Sequence, residues 1–167
     1  MYCRDESGVL LLAKKDKLYY YSQQKVFTVQ KVTAIDVYKK MTNGMPLWLR
    51  LSFVIRDKIS SLAGVEKIHG FSDKNPNEKF HVGSYIDFFE IIHLSDNEMC
   101  LLSKDIHLTV MISLNIVPNN NHKIGCIATV TASVITHNFF GKAYMIPVSL
   151  THAGIVRTML SKVGDVY

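Results

Sequence analysis

The side chains of this sequence best suited to chemistry are seven histidines, a carboxylate set in an apolar run, and a few amphipathic aromatics. His69, His81, His93, His107, His122, His137 and His152 contain no H-x-x-x-H or H-x-H pair, so they read as isolated surface or hydrogen-bonded residues and not as a metal centre. His107 and His137 fall on the non-apolar parity of two neighbouring strand patterns, where a pair across the ladder would steady a sheet face. Glu90 shares its parity with Ile86, Phe88, Ile92 and Leu94. A carboxylate there is costly to bury unless paired, and burial would raise its pKa, fitting it to orient a ligand or to act as a general acid or base. A β-bulge would instead shift the parity and send Glu90 to solvent. Trp48 and Tyr144 are aromatics of the kind that line ligand pockets with a polar handle, or else fill plain core. Trp48, Phe88, Glu90 and Tyr144 are therefore the expected ligand-binding residues. Asp105 is expected to satisfy turn amides. There is no serine nucleophile elbow, no cysteine–histidine pair at a family spacing, no Gly-rich phosphate loop and no dinucleotide fingerprint. A classical hydrolase or dehydrogenase is disfavoured, and no metal or cofactor is expected.

The elements that would position these residues are clearest in the C-terminal third. Ile106, Leu108, Val110, Ile112, Leu114 and Ile116 occupy every second position, the period of a strand with one buried face. The run stops at Pro118-Asn119-Asn120-Asn121, and alternation resumes with Ile124, Cys126, Ala128, Val130, Ala132 and Val134, which predicts a long hairpin. Asn138 can cap a helix over 139–163, inside which Pro147 predicts a kink or a break. Small residues on the strand face below that helix, Cys126, Ala128 and Ala132, allow either close packing or a cavity.

Upstream, Val9 to Ala13 fits a short helical turn capped by Ser7 or a buried strand equally well. The aromatic and β-branched stretch within Lys17 to Lys31 predicts a strand beginning near Tyr21 or Ser22. Thr33 followed by Asp36 resembles a capping box for a brief helix over 34–41. Pro46 opens a second helix, Leu47 to Ala63, whose apolar first half points to core burial over a membrane surface. Gly70 to Lys79 reads as a surface loop, Val82 to Leu94 as a strand, and Met99 to Leu102 as its return. The predicted order is β-α-α-β-β-β-β-α, an α+β chain.

A length of 167 residues with 48% apolar content suits one domain, with residues 1–16 as an N-terminal extension of uncertain structure. The net charge of +5 is spread along the chain without a basic run interleaved with aromatics, so nucleic acid is not an expected partner. The three cysteines are widely spaced, as reduced core residues would be, which suits the cytoplasm. No segment has the layout of a signal peptide or the length of a membrane span.

Three segments carry a resemblance. MPLWLRLSFVIRDKISSLAGV (Met45 to Val65), FFEIIHLSDNEMCLLSKDIHLTVMISL (Phe88 to Leu114) and HNFFGKAYMIPVSLTHAGIVRTML (His137 to Leu160) are similar to the bacterial family called domain of unknown function 2867. The resemblance implies a START-like, helix-grip fold, in which a curved antiparallel sheet wraps a long C-terminal helix, and it implies no settled activity. Where the family usually has an acid and then a base after Leu108, this chain has Thr109 and Met111. The proline usual just before the equivalent of His152 is replaced by Leu150. Family members fused to nucleotide-dependent reductase domains imply a possible oxidoreductase partner. Three functions follow as expectations: binding of a small apolar or amphipathic ligand between sheet and helix; an isomerase-, cyclase- or hydrolase-like enzyme using Glu90 or a histidine in that cavity; or a module docking on a reductase through the face carrying His107, Thr109 and Met111.

Overall fold

A computed structural model describes residues 2–43, 80–119 and 125–166. Two short strands, β1 (Cys3–Arg4) and β2 (Leu10–Leu11), form an N-terminal hairpin. Then come β3 (Tyr20–Thr28), helix α1 (Ala34–Thr42), β4 (Tyr85–Ile86), β5 (Phe89–Leu94), β6 (Glu98–Lys104), β7 (Leu108–Pro118), β8 (Cys126–Thr136), helix α2 (Phe139–Leu160) and β9 (Asp165–Val166). Strands β3 to β9 make one sheet in the order β4-β5-β6-β7-β8-β3-β9, every pairing antiparallel. The helix expected over Leu47 to Ala63 and the loop over Gly70 to Lys79 lie outside the described residues.

Local chemistry explains most of these boundaries. Thr33 and Asp36 form the full capping box: the Thr33 hydroxyl accepts from the Asp36 N–H, and the Asp36 carboxylate accepts from the Thr33 N–H at 3.2 Å. Asn138 caps α2 by accepting the Gly141 N–H at 3.0 Å. The helix then runs unbroken through Pro147. Pro147 and Ala143, whose carbonyl loses its helical donor, are both exposed, so water can replace the missing bond.

The sheet is covered on both sides. Its inner face carries the even positions of β7 and β8, in register as Ile112 opposite Ala132 and Leu114 opposite Val130, and continues on β3 with Val26 opposite Ala128. Helices α1 and α2 pack on it, and Val26, Leu101, Leu114, Val130, Val156 and Leu160 share one core. The outer face is lined by Thr109, Met111, Ser113, Thr131 and Ser133, all buried, although alternation predicts a single buried face for the hairpin. The N-terminal segment is the reason. Val9, Leu11 and Leu12 are buried; the Ser113 hydroxyl donates to the Leu10 carbonyl at 2.6 Å, and the Leu12 N–H donates to the Ser133 hydroxyl at 3.3 Å. The Ser113 and Ser133 hydroxyls thus serve as docking points for the covering segment, each finding a backbone partner in it. Arg4 clamps the same hairpin to the sheet through a bidentate pair with Glu98, at 2.7 and 2.9 Å. Of the two readings open for Val9 to Ala13, the strand is realised, at Leu10–Leu11.

Val82 to Leu94 is not one strand. Ile86 pairs with Phe89 around a two-residue turn at Asp87 and Phe88, with Asp87 in the left-handed region at φ 56°. Aspartate tolerates that conformation better than most residues. A bulge between Ile91 and His93 then shifts the parity of β5.

Candidate functional site

Among the described residues, polar side chains gather on the inner face of β3, beneath α2. Tyr20, Ser22 and Gln24 alternate onto the inner face of β3, opposite Val134, Ala132 and Val130, and all three are half-buried. His152, on the side of α2 that also presents Met145 and Val156 to the core, meets Tyr20. The Tyr20 hydroxyl and His152 Nδ1 are 3.4 Å apart, with the rings edge-on at 5.5 Å. Burial holds the His152 pKa below the usual imidazole range, so the ring is neutral at neutral pH and offers one donor and one acceptor nitrogen. Nearby on the inner face, Val110 and Ile112 are half-buried while Leu114 and Ile116 are fully covered. A neutral imidazole, a phenol, a hydroxyl and an amide beside apolar walls can hydrogen-bond the uncharged polar end of an amphipathic molecule.

The expected site residues are dispersed. Trp48 lies outside the described residues. Phe88 sits on the β4–β5 turn, its ring 4.2 Å from that of Phe89. Tyr144, half-buried, is on the second turn of α2, which packs against β3 and β8 at the other end of the strand order. Glu90 pairs with Tyr85 and Leu102, and Leu102 with Met111, which places it on the outer face, across the sheet from Tyr20 and His152. Phe89 and Ile91 are the buried residues of β5 at that level. The bulge lets Leu94 return to the inner face while Glu90 stays outside it, so the alternative of a parity shift is the one realised.

The histidines of the hairpin serve the fold. His107 and His137 are backbone neighbours, the His137 N–H donating to the His107 carbonyl at 2.7 Å. Their rings turn to different partners: His107 Nδ1 lies 2.9 Å from the Asn138 amide nitrogen and His137 Nε2 lies 2.8 Å from the Thr109 hydroxyl. Asp105 accepts the N–H groups of His107 and Leu108 at 2.7 and 2.8 Å, the turn role expected of it. Thr109 and Met111 are both buried. Of the face expected to meet a reductase, His107 is half-buried while the Thr109 and Met111 side chains are not presented to a partner.

Elsewhere, the Tyr38 hydroxyl donates to the Asp87 carboxylate at 2.5 Å, tying α1 to the β4–β5 turn. Burial, reinforced by that carboxylate, raises the Tyr38 pKa well above the usual phenol range. Burial also pushes the Cys100 thiol up to about 11, as suits an inert core cysteine. Among the described residues no three side chains of the His, Cys, Asp and Glu types gather as a metal centre would need.

Fold and site together define an α+β protein with a C-terminal helix lying on an antiparallel sheet and a histidine–tyrosine pair between the two. Over residues 16–159 the chain matches the family described as a protein of unknown function, DUF2867, and it belongs to that family. No curated protein and no solved structure matches the chain. The pairing of Tyr20 with His152 escaped the sequence reading because β3 is polar on both parities over Tyr20 to Lys25, so nothing marks Tyr20 as inward-facing.

Proposed function

We propose that this protein is a helix-grip, START-like binding module that holds a small amphipathic molecule between its sheet and its C-terminal helix. The observation that carries this reading is the half-buried polar group of Tyr20, Ser22, Gln24 and His152 between the sheet and the helix, beside apolar walls. Polar side chains in such a place are normally satisfied by protein or ligand. Tyr144, on the same helix as His152, would extend the wall, while Phe88 lies on the β4–β5 turn at the other end of the strand order and Trp48 falls outside the described residues. Glu90, on the outer face, has no part in it.

The test is a titration with the fluorescent apolar probe 1-anilinonaphthalene-8-sulfonate, alongside native mass spectrometry of protein purified without added ligand. Saturable one-to-one binding is expected. Ile112→Trp, which fills the inner face at a half-buried position, should weaken it by at least about tenfold, equivalent to roughly 1.4 kcal/mol. Binding that does not saturate, or that Ile112→Trp leaves unchanged, would sink the reading.

A further inference from the structure

The side of α2 that faces away from the sheet carries a row of large apolar residues. Phe139, Ile146 and Leu150, spaced i, i+7 and i+11 along one side of the helix, are 77%, 60% and 81% exposed. Phe140, 70% exposed, and Ile106, 64% exposed on the turn before β7, extend the row at the start of the helix. This cluster is held in place. The Phe139 and Phe140 rings are 6.4 Å apart edge-on, Phe140 lies 5.8 Å from the His107 ring, and the Asn138 amide donates to the Ile106 carbonyl at 3.1 Å. Exposed large side chains in such a row contribute little to the fold and mark an interaction surface.

The charges around the row narrow the partner. Helix α2 contains no aspartate or glutamate in its 22 residues; its formal charges are Lys142 and Arg157, both exposed. Lys104, at the end of β6 beside the Ile106 turn, adds an exposed cation, and the carboxylate between them, Asp105, is half-buried and turned to the His107 and Leu108 N–H groups. A helix with an apolar outer row, cations at its flanks and no carboxylate matches the interface of an anionic bilayer, where apolar side chains enter the acyl boundary and cations meet headgroups. A second copy of the chain fits less well, because packing two such helices together brings cations together without a helix carboxylate to pair them.

We infer that the outer face of α2, with the Ile106 turn, rests on anionic lipid, anchoring the protein peripherally. No described helix is long and apolar enough to cross a membrane, and this contact requires none. It also stands whether or not the helix–sheet interior holds a ligand.

The experiment is co-sedimentation with vesicles of phosphatidylcholine, with and without phosphatidylserine. The protein should pellet with the anionic vesicles, stay in solution with phosphatidylcholine alone, and be released by high salt. F139S/F140S and K104E/K142E should each weaken pelleting by at least about tenfold, while Val82→Ser, an exposed apolar residue on the segment before β4, should not. If F139S/F140S is misfolded by circular dichroism, K104E/K142E decides. Failure to pellet with anionic vesicles, or pelleting that these double variants leave intact, overturns the inference. So does a dimer in sedimentation equilibrium that F139S/F140S dissociates, which would assign the face to a second copy.

Discussion

Gly141 sets how closely α2 can approach the turn before β7. A Cβ at this position would run into the His107 carbonyl oxygen, which already accepts the His137 N–H, so neither helix nor turn can give way cheaply. Gly141→Ala should therefore destabilise the protein by about 1–3 kcal/mol, although alanine is the better helix former. Chemical denaturation measures this, and a neutral or stabilising result would mean that the helix start is looser than its contacts imply. Glu90 teaches a related lesson at the same scale. Its neighbours in the sequence argue for burial, but a two-residue turn before it and a bulge after it decide its face.

Among the elements, the N-terminal hairpin is held to the sheet by a titratable clasp. The Arg4 guanidinium, hydrogen-bonded to Glu98, is the main cause that holds the Glu98 carboxyl below its ordinary value of 4.5, with Asn115 and His93 adding to it against the opposing effect of burial. A carboxyl whose pKa is lower folded than unfolded stabilises the fold above its unfolded pKa, and that contribution is lost as pH falls through the folded value. Arg4→Met should thus cost about 1 kcal/mol or less at neutral pH, Arg4 being half-exposed. The gap between wild type and variant should close as the pH drops below the ordinary carboxyl range. Urea melts across pH 3 to 7 would show it, and a gap that widens towards acid would contradict the clasp.

For the whole molecule, the two-sided sheet matters most. Residues 9–12 form the second layer that buries Met111, Ser113 and Cys100 of the outer face, so a segment expected to be an extension is part of the packing. Leu11 is 1% exposed, and Leu11→Ala should cost about 2–4 kcal/mol. It should also speed labelling of the Cys100 thiol by Ellman's reagent, since Cys100 pairs with Ser113 beneath that segment. Labelling as slow as in the wild type, in a variant that also lacks Cys3 and Cys126, would show that Cys100 is protected by something else.

The sequence by itself determined those features whose cause lies within a few residues. Alternation from Ile106 and from Cys126 marks the β7–β8 hairpin, Thr33 and Asp36 mark the start of α1, and Asn138 marks the start of α2, because strand period and end-capping are local. The α+β order of one strand, a helix, successive antiparallel strands and a final helix follows from the same signals. Tertiary structure alone decided the rest. The pairing of Tyr20 with His152, the placement of Glu90 on the outer face and the covering of Met111 each depend on register or docking between segments far apart in the chain. Contacts across such separations leave no periodic trace in either partner, since each side chain is chosen by what lies opposite it and not by what lies beside it.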